Sequence, residues 1–328
     1  MSLKNILVIA KKEFFSFINS PLAYTIAVPF LFLTNFLYLR QVLVVGEATM
    51  RPYFELLPWF LLLLAPALSM KLLTDEYRGN TLELLFAHPI SELELVVGKF
   101  AGALSFYVCI LAATAGLPLS LIVFSRPDLG QIAGQYIGAI LVGATFISVG
   151  IACSAIVKNA VSSFLLSAAV SFVLLIVGMD FIALMLPFPL NRIAAELSVF
   201  THLENVAKGL LDIRDLAYFV TVSGLFLLLA QARLSQRKLS ENAKEMRKMR
   251  LSIVILLAIG VVFNVLLSFY PIRIDATSSR LFTLSEGTKQ TIRNLPDILT
   301  VTVFASSNLP SQMQLSAREI HDLLSDYR

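Results

Sequence analysis

Seven stretches of this chain are each long and apolar enough to form a membrane helix: approximately residues 21–45, 55–74, 100–124, 132–157, 160–186, 216–233 and 251–270. A hydrocarbon core about 30 Å thick is crossed by roughly 20 apolar residues in a helix. Lipid offers no partner for a free backbone N–H or C=O, so such a run must be helical. The runs therefore predict an all-α polytopic membrane protein. Composition agrees: 57% of residues are hydrophobic and only 15% charged, with a mean hydropathy of +0.79. A soluble domain carries about 25% charged residues.

The flanks of these runs carry the organisation. Residues 3–18 read as an amphipathic helix, with Leu3, Ile6, Leu7, Ala10, Phe14, Phe17 and Ile18 on one face. Lys4, Asn5, Lys11, Lys12 and Ser16 fall mainly on the other. Such a helix is expected to lie flat on the lipid bilayer surface, as an interfacial element over residues 1–20. Lys11, Lys12 and Glu13 stand where a signal peptide would have its cleavage site. With the N-terminus in the cytoplasm, the inside segments hold 14 Lys and Arg and the short outside loops hold six. That asymmetry predicts a cytoplasmic N-terminus and an extracytoplasmic C-terminus. Residues 236–250 form a basic cytoplasmic linker before the seventh run. After it, residues 271–328 turn polar, with a helical pattern at 286–294, an alternating strand pattern at 298–305 and a helix opening near Pro310. This reads as the start of an extracytoplasmic α/β domain, too small to bury a good core alone.

Several chemistries find no support. Lys and Arg exceed Asp and Glu by only four, so no nucleic-acid partner is expected. Cys109 and Cys153 sit inside apolar runs and read as packing residues. His88, His202 and His321 lie far apart in sequence, against a metal cluster. Gly98-Lys99 is followed by Phe100 and no Gly stands at position 93, so there is no phosphate-binding Walker A loop. "LSEGT" at 284–288 lacks the second Gly of an ATP-binding-cassette signature. No catalytic, cofactor-binding or metal-ligating residue is predicted. Asp180 is the one acid well inside an apolar stretch. An ion-coupled carrier would show more such carboxylates or histidines.

Two features carry a mechanical reading. Gly98 and Gly102, and Gly134 and Gly138, are each four apart and permit close helix packing. "DEYRGNTLELLFAHPISELELVVGKF", residues 75–100, holds two capping boxes, Asn80 with Glu83 and Ser91 with Glu94. A first helix is predicted over about 81–88, ending before Pro89. A second starts near 92 and feeds into the third apolar run. Leu82, Leu85 and Phe86 give the first helix an apolar face beyond what lipid requires. A short stiff helix joined at a bend to a membrane helix suits a lever that docks into a groove on a soluble partner.

That segment resembles the cytoplasmic segment of ABC-2-type transporter permeases, in which an acidic residue precedes Gly-Thr-Leu-Glu-Leu-Leu, a Pro, and a Gly-Lys leading into a span. Glu76, Gly79, Thr81, Glu83, Leu85 and Pro89 match, Asn80 is inserted between Gly79 and Thr81, and Phe86 follows the motif as part of the same coupling segment. "NVAKGLLDIRDLAYF", 205–219, is similar to the family's segment before its sixth span. The resemblance covers about residues 1–235 and implies a six-span permease bundle over 21–235, with the seventh run as an added span. It also implies a separate ATP-binding cassette ATPase carrying ATP and Mg, a second permease half in a homodimer, and the inner membrane of a bacterium. The tail "RIDATSSRLFTLSEGTKQTIRNLPDILTVTVFASSNLPSQ" resembles the start of auxiliary proteins of gliding-motility-type permeases. The expectation is a permease subunit of an exporter. The alternative is an anchoring component of a cell-envelope or gliding machinery that moves no solute.

Overall fold

The computed structural model describes residues 2–46, 48–81, 90–125, 127–183, 185–187, 190–238, 243–268 and 273–278, with a few isolated positions beyond. Helix α1 (Leu3–Ile18) precedes α2 (Pro21–Val45), which starts on a Pro in its first turn and ends at Gly46 in the left-handed conformation. Then come α3 (Arg51–Ser69), the short α4 (Thr74–Arg78) and α5 (Glu92–Ala112). A 3₁₀ turn, Ala113–Ala115, joins α5 to α6 (Gly116–Phe124). The long α7 (Leu129–Ile156) and α8 (Ala160–Ile176) follow. Three short helices, α9 (Asp180–Ala183), α10 (Leu190–Leu197) and α11 (Val199–Ala207), lead to strand β1 (Leu210–Asp212). The chain then runs through α12 (Ile213–Lys238) and α13 (Ala243–Ser268) to strand β2 (Arg273–Asp275).

Among the described residues, five stretches are long and apolar enough to cross a membrane: Pro21–Val45, Arg51–Arg78, Glu92–Phe124, Leu129–Ile156 and Ile213–Gln236. The other two apolar runs form shorter apolar helices, Ala160–Ile176 and Leu251–Asn264. The fifth run differs most from its reading, because its helix stops at Ile176 instead of continuing to residue 186. The cause is a tertiary partner. The returning chain places Ser198 against Gly178 and its hydroxyl donates to the Leu175 carbonyl at 3.3 Å, capping the last turn. The expected first helix at 81–88 falls on residues outside the described set, save Thr81. The expected elements at 286–294, 298–305 and after Pro310 fall almost wholly outside it.

The centre of the bundle is α7, which packs on α3, α5, α8, α11 and α12. Phe146, Ile147, Val149 and Ile151 are fully buried there. Tyr107 of α5 lies across Gly143 and donates to the Ala139 carbonyl at 2.8 Å. The amino ends of α5 and α8, the carboxyl end of α7 and all of α1 and α4 gather at one side of the bundle. The amino ends of α7 and α12 gather at the opposite side with α11 and β1. There β2 pairs antiparallel with β1 in the register Leu210↔Asp275, Leu211↔Ile274, Asp212↔Arg273.

Candidate functional site

Charged residues are buried at the junction of α1, α4 and α5. Lys99 is only 2% exposed, and its Nζ donates to Glu13 Oε1 at 2.7 Å and to Glu76 Oε1 at 3.1 Å. The three residues come from α1, α4 and α5, so one ammonium ties three elements together. Each carboxylate is itself largely buried, at 12% and 15% side-chain exposure. A buried ion of this kind is tolerable only with its partners in place. Glu76 also accepts a hydrogen bond from the Thr81 hydroxyl. One residue on, the Tyr77 hydroxyl donates to the Ala155 carbonyl at 3.1 Å, fixing α4 to the end of α7.

A second carboxylate locks the same junction. Ser91 is the N-cap of α5, and its hydroxyl accepts from the Glu94 N–H at 3.2 Å. Glu94 reaches back to the Ser91 N–H at 3.2 Å, completing the capping box. Glu94 also accepts from the Ser2 backbone N–H and from Asn5 Nδ2 at 3.1 Å, so the cap of one helix holds the start of another. Gly98 and Gly102 make the contact possible. A Cβ on Gly98 would lie 2.7 Å from the Ile9 side chain, and one on Gly102 would lie 2.6 Å from Glu13 Cβ. Between α1, α2 and α3 opens a cleft of about 270 Å³. Its walls include Phe17 and Ile26, its rim Lys12, Lys71 and Asp75, and Lys99 lines its inner end.

The expected site residues separate into groups. Glu76 and Thr81 are brought together with Lys99, and Gly79 follows α4 directly. Asn80 adopts a φ of 52°, in the left-handed region, whereas an N-cap residue has extended backbone. That conformation turns the chain out of α4, a role for which Asn is favoured after Gly. Glu83, Leu85, Phe86 and Pro89 lie outside the described residues. Gly134 and Gly138 lie at the opposite side, against Val206 and Leu203 of α11. Neither the sequence position of Glu13, beside Lys11 and Lys12, nor that of Lys99, in the Gly-Lys before a span, signals that the two charges pair. In α1, Leu3 and Leu7 of the expected apolar face are exposed, Ile6 of that face is buried, and Glu13 is buried with it against α5. An acid on the packed face was the available signal.

A further polar cluster lies at the opposite side. His202 Nδ1 is 2.6 Å from Asp215 and its Nε2 is 3.1 Å from the Glu196 carbonyl, so both ring nitrogens face oxygens. Tyr218 stacks on the ring at 3.9 Å and donates to the Leu197 carbonyl at 2.6 Å. Asp212 and Arg214 pair beside it, with Nε 2.8 and 2.9 Å from the two carboxylate oxygens. These residues fall in the 205–219 segment and the short helices before it, and together they fix the re-entry of the chain into α12.

Comparison with known families completes the assignment. The model of a domain of unknown function matches residues 278–328, and it names no motility role for the tail. No curated protein matches the chain. A family model described as ABC-2 family transporter protein matches residues 7–270, from α1 through α13. The match takes in the amphipathic helix, the buried triad and every apolar helix of the fold, and the chain belongs to the ABC-2 family of transporter membrane proteins.

Proposed function

We propose that this chain is the permease subunit of an ATP-driven exporter, and that residues 76–99 receive movement from a separate ATPase and pass it into the second and third spans. The observation that carries this is the Lys99–Glu13–Glu76 triad. A push on the segment between Glu76 and Lys99 cannot stay local, because its two ends are paired with each other and Lys99 is in turn paired with Glu13 of α1. The Glu94 clamp on Ser2 and Asn5 gives α5 a second hold on the same helix. Lys12, Lys71 and Asp75 around the cleft offer a charged surface for the partner. In this reading α1 lies at the cytoplasmic face of a bacterial inner membrane, ATP and Mg sit on the partner chain, and two copies of the permease form the pathway.

The test is purification of the chain from its native membrane with its partners. Charge reversal at Glu76 and Glu83 is expected to abolish co-purification of the ATPase and ATP-dependent transport. Retention of both would sink the proposal. Reconstitution in vesicles separates it from the anchoring alternative, in which ATP is hydrolysed and no solute moves.

A further inference from the structure

We infer that the side of the bundle opposite α1 carries a strand-docking site, that residues 273–278 are the segment that fills it, and that this strap holds the α11–β1 segment in place. The inference does not depend on the ATPase reading.

The backbone ladder to β1 is extended by the Ala276 N–H, which donates to the Gly209 carbonyl at 3.1 Å. A ladder alone would accept any extended chain. Three further features select this one. The Ser278 N–H and hydroxyl donate to the Asp128 carboxylate at 3.0–3.1 Å. Asp128 is also the N-cap of α7, accepting from the Gln131 N–H at 3.0 Å, so the strap is tied to the start of the central helix. Asp275 accepts from the Thr277 N–H at 3.0 Å and from its hydroxyl, which sets the turn that carries the chain from β1 to Asp128. The docking site itself is built from absent side chains. A Cβ on Gly130 would lie 1.5 Å from the Ala276 carbonyl oxygen. Gly209, at φ 86°, packs against Thr277 and Gln131. Thr277 is consequently 5% exposed although it follows a strand whose Ile274 is 63% exposed.

The consequence lies in what β1 connects. It stands between α11 and α12, and α11 packs on α7 through Leu203 and Val206 against Gly138. With the strap seated, β1 is paired along its length and α11 is pinned to α7. With it absent, β1 loses its ladder partner, and the segment keeps only the packing of α11 on α7 and the His202–Asp215 and Asp212–Arg214 contacts to α12. The Asp-Ala-Thr-Ser sequence after the seventh apolar run thus gains a role as the recognition element of the strap.

Gly130→Ala tests this cleanly. Ala is the better helix former, by about 1 kcal/mol, so α7 itself is not weakened. The added methyl nonetheless occupies the place of the strap carbonyl. In full-length chain with Cys109 and Cys153 replaced, Leu211→Cys/Ile274→Cys places thiols on register partners, within the Cα range of about 4.4–6.8 Å that a disulfide spans. The parent is expected to cross-link readily and Gly130→Ala severalfold less. Leu203→Cys, on the same background in native membranes, is expected to resist maleimide and to label severalfold faster with Gly130→Ala. Gly224→Ala, where a methyl meets nothing, serves as the control and is expected to leave both readouts at the parent level. Unchanged cross-linking in Gly130→Ala would overturn the docking site. Reduced cross-linking with unchanged Leu203→Cys labelling would overturn the holding role. Equal effects from Gly224→Ala would overturn both.

Discussion

Lys99 holds two acids in a place from which water is largely excluded, and its removal is more costly than the loss of an ordinary surface pair. Lys99→Met leaves Glu13 and Glu76 facing each other without a counter-ion, an effect of about 3–5 kcal/mol for a broken buried pair. A drop of several degrees in the detergent thermal melt is expected. The triple variant Glu13→Gln/Glu76→Gln/Lys99→Met is expected to recover most of that drop, since no charge is left uncompensated. A triple variant no more stable than the single would show that the triad is not an electrostatic unit. Asp128 supplies a pH-dependent counterpart. Burial pushes its carboxyl up, but N–H donors from Gln131, Ser278 and Gly130 and the Ser278 hydroxyl more than offset that, so it titrates below the ordinary range. A carboxyl depressed by folding contributes stability that is complete above the unfolded value of about 3.9 and is lost as pH falls through the folded value. Dipolar broadening between spin labels at residues 211 and 274 is therefore expected to be constant down to about pH 4 and to decline only below it. Asp128→Asn is expected to start weaker and to show no such decline below about pH 4.

At the scale of elements, the contact of α1 with α5 depends on two glycines and one cap. Gly102→Leu overfills a site where even a methyl meets Glu13 Cβ at 2.6 Å, and overpacking of this kind costs about 1–3 kcal/mol. Helix α1 is expected to lift, read as faster protease cleavage near residues 2–18 with α7 unaffected. Ser91→Ala removes the N-cap of α5 at about 1 kcal/mol. Because Glu94 also binds Ser2 and Asn5, the loss is expected to be accompanied by the same α1 exposure in weaker form. The Ser91–Glu94 box was legible in sequence because its partners are three residues apart. The glycine pairs were legible as packing sites from spacing alone, but what they pack against was not. The left-handed φ of Asn80 was not legible, because residue type serves both ends of a helix and does not fix φ.

For the whole molecule, the chain alternates across the bundle so that Glu13, Glu76 and Lys99 share one side and Asp128, β1 and β2 share the other. An impermeant thiol reagent applied to intact cells is expected to label Ser278→Cys and not Asn80→Cys. The reverse pattern would invert the proposed orientation, and labelling of both or neither would break the alternation. The seventh helix belongs with this body: α13 packs along α12, where Gly260 meets Thr221, and the family match runs through it to residue 270.

Run length and apolarity are local properties, and a bilayer acts on them directly, because each helix must satisfy its own backbone in lipid before it meets a neighbour. The sequence by itself therefore determined a membrane-spanning helical protein, the amphipathic first helix, the cap of α5 and the spacing of the packing glycines. It could not show that Glu13, Glu76 and Lys99 form one buried unit, since the charges are up to 86 positions apart and each reads alone as an ordinary polar residue. Nor could it show that residues 273–278 return to Asp128, 150 positions back. Those pairings were decided by the tertiary structure, where burial makes an isolated charge or an unmet N–H too costly to leave without a partner.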